Sequence, residues 1–315
     1  MGTNDLMDSI TEVPEISVIM GVYNQYHKKQ LVCAINSIRK QTFKNYEFII
    51  YDDGSDEEPA AFLQQAANAD KRIRIIREES NNGLAFSLNR CIDIARGKYI
   101  ARMDADDISV PTRLQTEYDF LEANPQWGWV GSNAYVFSKG DIWGRMLMAE
   151  CPNQYNFLPF SPYIHPSVMF RKEILDKYDA YKVSKATLRC EDYELFMRLY
   201  QQGINGYNLQ KELLFYRQGL DAYKKRTLKN RIREARIRFM NFPKMKLPLS
   251  KCIIYTLRPV LSGLIPYPMI AWYKKRRIKE CENSDEGTTD IQRELRSYID
   301  YLYKMGFERS PKQED

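Results

Sequence analysis

A cluster of three aspartates ends an apolar run in the segment ARMDADDISVPTR, residues 101–113. Asp104, Asp106 and Asp107 carry like charges. At about 4 Å each pair of carboxylates repels by roughly 1 kcal/mol in water and by about 4 kcal/mol near a protein surface. A positive partner is therefore expected among them.

Two other polar clusters follow apolar runs in the same way. Residues 22–24 have the sequence VYN, and residues 52–56 have the sequence DDGSD. Asp, Asn, Gly and Ser are common in turns, so each cluster taken alone is well explained as a turn. The coincidence of three clusters, each at the end of an apolar run, favours a shared site.

The apolar runs have the character of buried strands. They are ISVIMGVY, YEFIIYDD, RIRIIRE and KYIARMD. Between them, apolar residues recur at helical spacing at Leu31, Ala34, Ile35 and Ile38, and again over residues 84–95. This alternation predicts a mostly parallel sheet with helices on both faces. Ligands of such sheets bind beyond the carboxyl ends of the strands, where the three clusters fall.

The second half of the chain predicts further helices and strands. A helix is expected from Pro111, a strand or hairpin in WGWVGSNAYVFS, and a strand passing into a helix in HPSVMFRKEIL. The segment CEDYELFMRLYQQG predicts a helix with Leu195, Phe196 and Leu199 as its buried stripe. Gly203 is expected to end that helix.

The composition is that of a globular protein. The 315 residues are 44% hydrophobic and 28% charged. Six scattered cysteines, without a Cys-x-x-Cys pair, argue against a zinc ribbon and against a dense disulfide framework. We therefore expect a reduced, cytoplasmic setting. Residues 1–13 are polar and do not have the basic-then-apolar start of a signal peptide.

Positive charge is concentrated in residues 221–282, which carry 17 Lys and Arg against 4 Asp and Glu. Residues 1–220 carry 25 against 29, and residues 283–315 carry 5 against 8. A basic block predicts a polyanionic partner, either lipid headgroups or nucleic acid. Its aromatic residues are gathered in one apolar segment and not interleaved with Lys and Arg, so we expect no nucleic-acid binding.

The apolar part of this block, CIIYTLRPVLSGLIPYPMIAWYKKRR, contains Arg258 and three prolines. An arginine at mid-bilayer costs about 2.5–3.5 kcal/mol and prolines interrupt a helix, so a membrane span is disfavoured. Flanking basic clusters, with Trp272 and Tyr273, favour a segment in the interface of an anionic membrane. A helical flap packed on the protein's own core is the alternative for residues 252–273. Residues 283–315 predict an amphipathic helix that docks or forms a homo-oligomer.

Four segments together resemble the successive motifs of family-two inverting glycosyltransferases with the GT-A fold. They are ISVIMGVYN, DDGSDE, NNGLAFSLNRCIDIARGKYIARMDADD and CEDYELFMRL, in the family's order and spacing, and the resemblance covers residues 14–217. It implies an α/β fold with a Rossmann-like, mostly parallel sheet flanked by helices, followed here by a helical, basic C-terminal extension.

The resemblance and the charge pattern together predict five divisions of the chain. These are an N-terminal tail (1–13), a nucleotide-sugar-binding half (14–115), an acceptor-binding half of the same GT-A domain (116–220), a basic and apolar membrane-interface region (221–282) and a C-terminal amphipathic helix (283–315).

In this family an Asp-x-Asp motif binds a divalent cation that bridges the diphosphate of the donor. The matching residues here are Asp104, Ala105 and Asp106. Their hard carboxylate oxygens suit Mn²⁺ or Mg²⁺. The resemblance makes Asp106 the metal ligand and places Asp104 beside the metal or the ribose. Asp107 either assists the metal or caps the following turn.

The resemblance also implies a site for a UDP-sugar donor. Asp53 would accept the N–H of the uracil ring, and Tyr23 would flank that ring. The remaining candidates for the donor site are Val22, Asn24, Asn82, Gly83, Arg90 and His165, the last near the diphosphate. An exposed helix arginine is an equal explanation for Arg90, and a histidine before a strand is more often structural.

Glu191 and Asp192 begin the predicted helix of CEDYELFMRL. The helix dipole favours acidic residues in a first turn, so capping alone is one explanation. The resemblance makes Asp192 the general base that deprotonates the acceptor hydroxyl, with Glu191 as the residue most easily confused with it. Direct displacement of the nucleoside diphosphate would then invert the configuration at the sugar.

The implied function is metal-dependent transfer of one hexose or N-acetylhexosamine from a UDP-sugar to a hydroxyl of a polyprenyl-diphosphate-linked saccharide. Such an enzyme would act in bacterial surface-polysaccharide assembly, such as that of O-antigen or capsule. It would associate peripherally with the inner face of the plasma membrane. The alternatives are a soluble glycan or protein acceptor and, outside enzymes, a protein that binds nucleic acid through the basic block.

Overall fold

A mixed sheet of nine strands lies at the centre of the computed structural model, counted over the residues that it describes, 13–219, 227–264, 269 and 288–306. The strands are β1 (Ile16–Val22), β2 (Tyr46–Asp53), β3 (Ile73–Glu78), β4 (Tyr99–Arg102), β5 (Ile108–Ser109), β6 (Trp129–Ser138), β7 (Asp141–Met146), β8 (Met169–Arg171) and β9 (Gly206–Arg217). Their order across the sheet is β3-β2-β1-β4-β8-β6-β9-β5, and β7 pairs with β6.

Helices cover both faces of this sheet and extend beyond it. They are α1 (Lys28–Arg39), α2 (Glu57–Ala69), α3 (Leu84–Ile94), α4 (Arg113–Ala123), α5 (Lys172–Lys177), α6 (Glu191–Gln201), α7 (Leu228–Asn241), α8 (Leu249–Leu261) and α9 (Thr288–Met305). From β1 to β4 the order of elements follows the predicted alternation of apolar strands and amphipathic helices.

The first four strands run parallel in the order β3-β2-β1-β4, as the apolar runs predict. Every residue of β2 and β4 is buried. Val18 and Met20 of β1 pack with α1 and α2 on one face, whereas Ile19 packs with α3 and α6 on the other. The carboxyl ends of β1, β2 and β4 therefore meet at one edge, which carries the three polar clusters.

Two predicted helices are present with small differences at their ends. The helix expected from Pro111 begins two residues later, at Arg113. The carbonyl oxygen of Pro111 accepts the N–H of Thr42 at 2.8 Å, so it holds the loop after α1. Helix α6 begins at Glu191 and ends before Gly203, whose φ of +76° suits glycine.

Strand β9 is an element that the apolar pattern does not predict. It lies between β6 and β5 in the sheet and pairs with β6 in parallel. The polar residues 210–212 interrupt its apolar alternation, and its register against β6 shifts between Ser132 and Ala134. Because the period of two is broken, only the pairing with β6 and β5 identifies this segment as a strand.

Helices α7 and α8 form a hairpin that packs on the core through one face. Ile237 and Cys252 are buried in the cluster that includes α6. The buried Arg238 donates hydrogen bonds to the carbonyl oxygens of Leu158 and Pro159. The described part of residues 252–273 therefore packs on the protein's own core by one face and leaves the other face exposed.

No described helix is long and apolar enough to cross a membrane. The predicted tail, apart from Val13, lies outside the described residues. So do residues 265–268 and 270–287, with Trp272 and Tyr273.

Helix α9 docks on α1 of the same chain. Docking is one of the two alternatives that the sequence predicts for residues 283–315. The Asn36 side-chain amide donates to the carbonyl oxygens of Leu302 and Gly306 at 2.8 and 2.7 Å. Leu295, Ile299 and Leu302 are buried in a cluster with residues of β5, β7 and β9. The final helix thus braces the edge of the sheet where β5 and β9 pair.

We predict that Leu302→Ala lowers the free energy of unfolding by about 2–4 kcal/mol, because it leaves a cavity under α9. Urea denaturation followed by circular dichroism measures this change. The matched control is Ser297→Ala on the exposed face of the same helix, which should change stability by less than about 0.5 kcal/mol. Equal stability of the two variants would contradict the docking of α9.

Candidate functional site

Residues 104–107, between β4 and β5, form a loop with three carboxylates, which we call the acidic loop. One carboxylate oxygen from each of Asp104, Asp106 and Asp107 lies within 4.8 Å of the other two. Arg217, at the end of β9, holds this loop. Its backbone N–H donates to Asp107 Oδ1 at 2.7 Å, and its Nε–H donates to the carbonyl oxygen of Asp106 at 2.6 Å. Asp107 is therefore tied across the sheet to β9.

Burial and neighbouring like charges destabilise the charged forms of Asp106 and Asp107 in the acidic loop. Burial, and then the charge of Asp104, raise the pKa of Asp106 to about 6. Burial, followed by Asp104 and Asp106, raises the pKa of Asp107 well above its usual range. Asp107 Oδ2 is buried and has no hydrogen-bond partner among the described residues.

These observations fit a hard divalent cation. An all-oxygen set suits Mg²⁺ or Mn²⁺ better than a softer metal. The orphaned Asp107 Oδ2 supplies an unused ligand atom, and a cation would relieve the repulsion among the three charges. The donor set present in the loop therefore fits the cation that the sequence predicts.

Arg102, like Arg217, belongs to this site but is not predicted from the sequence. It is the last residue of β4 and is 1% exposed. Its guanidinium forms an ion pair with Asp104, whose side chain is one-third exposed. Arg102 Nε is buried and has no hydrogen-bond partner in the described part of the chain. The sequence signal for this role is the position of Arg102 inside the apolar run KYIARM. A charged residue in such a run is rarely buried without a partner of opposite charge.

The loops after β1 and β2 are tied to each other by side chains of the polar clusters. Asn24 N–H donates to Ser55 Oγ at 2.9 Å, and Asp56 N–H donates to Asn24 Oδ1 at 2.8 Å. Ser55 N–H donates to Asp52 Oδ1 at 3.0 Å. Asn24 has a φ of +47°, a conformation that asparagine tolerates better than most residues. The VYN and DDGSD clusters thus form one surface.

Asp53 organises the start of α3 from the end of β2. Its two carboxylate oxygens accept the backbone N–H groups of Asn82 and Gly83 at 2.9 and 2.8 Å. Gly54, with a φ of +76°, lets the two loops approach, because a Cβ there would lie 2.8 Å from the carbonyl carbon of Ser80. Each Asp53 oxygen keeps a lone pair for a further donor.

The other donor-site candidates differ in exposure. Val22 is buried, Ala105 is partly buried, and Tyr23 is 53% exposed directly after β1. Asn82 is exposed. Arg90 lies on the exposed side of α3, where its Nη1 is 3.4 Å from Asp93 Oδ2. The structure thus leaves Tyr23 and Asn82 accessible to a ligand at the edge of the sheet.

Helix α6 presents Glu191 and Asp192 in its first turn. Burial, and then the charge of Glu191, raise the pKa of Asp192 to about 6, although backbone N–H groups and Arg102 act in the opposite direction. Glu191 is buried, and its Oε2 has no hydrogen-bond partner among the described residues. Asp192 is partly exposed, so of the two it is the carboxylate that solvent reaches more readily.

His165 is buried against Phe196 of α6. It is 9% exposed, and its Nε2 is 2.7 Å from the hydroxyl oxygen of Tyr181. Burial, and then the charge of Arg102, hold the pKa of His165 well below its usual value, so the ring is neutral. The His165 ring also lies against the rings of Tyr181 and Phe196.

The charges of the acidic loop and of α6 both act on Tyr216 of β9. Burial raises its pKa, and so do the charges of Asp107, Asp104, Asp106 and Asp192, in that order. These carboxylates come from two separate parts of the chain. The charges of two sequence-predicted groups, at residues 104–107 and at residue 192, therefore act on the same tyrosine.

Comparison with known proteins identifies the family. The sequence profile of Glycosyl transferase family 2 matches residues 17–179. The chain is also 34% identical over 275 residues to the putative glycosyltransferase EpsE of Bacillus subtilis, across 87% of this chain and 97% of that protein. The chain belongs to glycosyltransferase family 2. It is a glycosyltransferase, as the sequence predicts.

Two further comparisons concern relatives with more informative names. The chain is 27% identical over 222 residues to the UDP-Glc:alpha-D-GlcNAc-diphosphoundecaprenol beta-1,3-glucosyltransferase WfaP of Escherichia coli, across 70% of this chain and 84% of that one. The crystal structure of S. aureus TarS 1-349 in complex with UDP-GlcNAc superposes with a TM-score of 0.60 at 15% identity, covering 92% of this chain and 89% of that one. This likeness confirms the predicted GT-A fold.

We predict that Arg102→Met lowers the free energy of unfolding by about 2–4 kcal/mol, because it leaves Asp104 and its neighbours without their buried counter-ion. Thermal unfolding with and without Mn²⁺ measures the effect. Mn²⁺ should raise the Tm of this variant more than that of the wild type, because an added cation replaces the missing charge. Arg102→Lys, which keeps a charge, is the matched control and should lose less. A Met variant with unchanged stability and an unchanged response to Mn²⁺ would contradict the counter-ion role.

Proposed function

We propose that this family-two glycosyltransferase transfers one hexose or N-acetylhexosamine from a UDP-sugar to a hydroxyl of a polyprenyl-diphosphate-linked saccharide, with inversion and with a divalent metal. The name of WfaP supports this, since that relative uses UDP-Glc and a diphosphoundecaprenol-linked GlcNAc. The reaction would belong to surface-polysaccharide assembly at the cytoplasmic face of the plasma membrane.

The proposal rests on two groups: the three carboxylates of the acidic loop, whose oxygens lie within 4.8 Å of one another, and Asp192 in the first turn of α6. The charges of both groups act on Tyr216. A transferase of this kind needs a positive centre at the leaving diphosphate and a base on the opposite side of the sugar. The acidic loop with its cation and Asp192 would supply these two requirements.

At the nucleotide end, Asp53 would accept the uracil N–H through a remaining lone pair, since its other contacts are to the backbone of residues 82 and 83. Tyr23 is exposed beside it and would flank the ring. Asn24 and Ser55 hold the two loops at a fixed separation. These contacts prepare a flat polar edge for a base before the nucleotide arrives.

Asp104, Asp106 and Asp107 would hold Mn²⁺ or Mg²⁺, which when bound supplies Lewis-acid neutralisation of the departing nucleoside diphosphate. Arg217 fixes the backbone of this loop, and Arg102 orients Asp104. Both arginines therefore act by positioning carboxylates that would otherwise move apart.

At the acceptor end, Asp192 would take the proton from the acceptor hydroxyl as the oxygen attacks the anomeric carbon. Attack from the face opposite the diphosphate inverts the configuration. A pKa near 6 leaves Asp192 ionised at neutral pH while keeping it a stronger base than an ordinary aspartate. Glu191 beside it raises that pKa and is the alternative base.

We predict that Asp192→Asn abolishes transfer but retains binding of the UDP-sugar, because it removes only the base. The variant should also be more stable than the wild type by about 1–3 kcal/mol at pH 7. Asp192 has a higher pKa in the folded chain than its usual value, so its ionisation opposes folding there. Transfer assays, calorimetric titration with the UDP-sugar and thermal unfolding measure the three effects.

The matched variant is Asp106→Ala, which should lose metal-dependent binding of the UDP-sugar. Full turnover by Asp192→Asn would overturn the base assignment. Loss of transfer in Glu191→Gln but not in Asp192→Asn would move the base to Glu191.

We predict that kcat/KM, measured with saturating Mn²⁺, falls about tenfold per pH unit below pH 6. The base must be ionised, and the pKa of Asp192 is raised to about 6. Glu191→Gln should shift this acidic limb to lower pH, because it removes the neighbouring charge that raises the pKa. An acidic limb that stays in place in Glu191→Gln would assign it to another group.

The proposed function itself is tested with a panel of UDP-sugars, Mn²⁺ and a polyprenyl-diphosphate-linked saccharide. Donor hydrolysis and transfer are followed separately. Transfer to the lipid-linked saccharide supports the proposal. Transfer only to a soluble glycan or to a protein would keep the chemistry and overturn the acceptor.

A further inference from the structure

The outward faces of α7 and α8 form a surface that combines exposed apolar side chains with positive charge. Six large apolar side chains on it are between 51% and 72% exposed. They are Phe239, Leu249, Ile253, Ile254, Leu257 and Leu261. Soluble proteins rarely leave such a group of large apolar side chains in water without a partner.

This exposed face is not required to hold the hairpin together. The opposite face already packs on the core through Ile237 and Cys252, and Arg238 bonds the carbonyl oxygens of Leu158 and Tyr255. The inner face of the hairpin therefore fixes it to the core. Its outer apolar side chains are presented to the surroundings.

The charge of the hairpin identifies the class of partner. Residues 227–264 contain nine Lys and Arg against one Glu. Lys244 and Lys246, in the connection between the helices, are both exposed, and Lys251 is exposed on α8. Aliphatic side chains beside exposed lysines match the boundary between anionic headgroups and acyl chains.

Other occupants fit this surface less well. A second copy would bring two strongly positive surfaces together, which is repulsive. Single-stranded nucleic acid needs aromatic side chains on which bases stack, whereas the exposed apolar residues here are mainly Leu and Ile.

We propose that the outward faces of α7 and α8 dock on the headgroup layer of an anionic bilayer, with the apolar side chains inserted and the lysines on the anionic headgroups. This inference rests on the exposed surface of α7 and α8 and does not depend on the proposed transfer reaction. Arg238 lies 5.3 Å from the ring centre of Tyr193, the residue after Asp192. Docking would therefore hold the start of α6 near the membrane surface, where a lipid-linked acceptor lies.

The test is flotation with vesicles of phosphatidylcholine, alone or with one third phosphatidylglycerol, at physiological salt. The full chain should float with the anionic vesicles and weakly, if at all, with the neutral ones. Ile254→Ser/Leu257→Ser and Lys244→Glu/Lys246→Glu should each weaken binding about tenfold or more.

Matched controls separate this surface from general effects of polarity and charge. Leu147→Ser replaces an apolar side chain that is 63% exposed elsewhere. Lys71→Glu/Lys139→Glu makes the same change of charge elsewhere, and Lys139 shares the φ of +55° of Lys246. Both controls should float as the wild type does, and circular dichroism checks that every variant is folded.

Three outcomes would overturn the proposal. The first is a failure of the wild-type protein to float with anionic vesicles. Binding of single-stranded RNA at the same salt, in place of flotation, counts as this outcome. The second is flotation that Ile254→Ser/Leu257→Ser leaves unchanged. The third is a dimer in sedimentation velocity that the same variant dissociates. Because flotation needs no donor or acceptor, Asp192→Asn should float normally, so failure of docking and failure of transfer are distinguishable.

Discussion

The buried guanidinium of Arg102 is the interaction on which the site depends. It ends β4 and forms an ion pair with Asp104. Its charge opposes the rise in the pKa of Asp192 and adds to the effect of burial in lowering the pKa of His165. A buried charge of this kind is tolerated only beside opposite charges. The surrounding carboxylates supply them, and their mutual repulsion is in turn reduced by the arginine. The acidic loop can thus remain assembled before a metal or a nucleotide binds.

Elements distant in the sequence then fix the geometry around this charge. Arg217 joins the acidic loop to β9, and α9 packs against the cluster that contains β5 and β9. Helix α6 is held from outside by α7, where Arg238 lies over the ring of Tyr193. The metal end and the proposed base are therefore supported by separate parts of the C-terminal region. A change in either part would alter one end of the site without directly altering the other.

Much of the first half was predictable because its signals are local. Strands β1 to β4 are continuous apolar runs, and α1 and α3 show a period of 3.6 residues. The acidic loop follows from an unusual concentration of like charges. The contacts of Asp53 with the backbone of residues 82 and 83 were not predictable, since they depend on how two loops meet. Strand β9 was missed because polar residues interrupt its alternation, and Tyr216 and Arg217 were missed with it.

The sequence by itself determined the order of the first four strands, the family motifs and the carboxylates of the acidic loop, because each is encoded within short stretches of chain. Tertiary structure alone decided that Asp107 is bound by Arg217, that Arg102 is the buried counter-ion and that one face of α7 and α8 stays exposed. These outcomes depend on strand register and helix packing between residues far apart in the chain. A local sequence pattern does not specify which distant residue lies in contact with a given side chain.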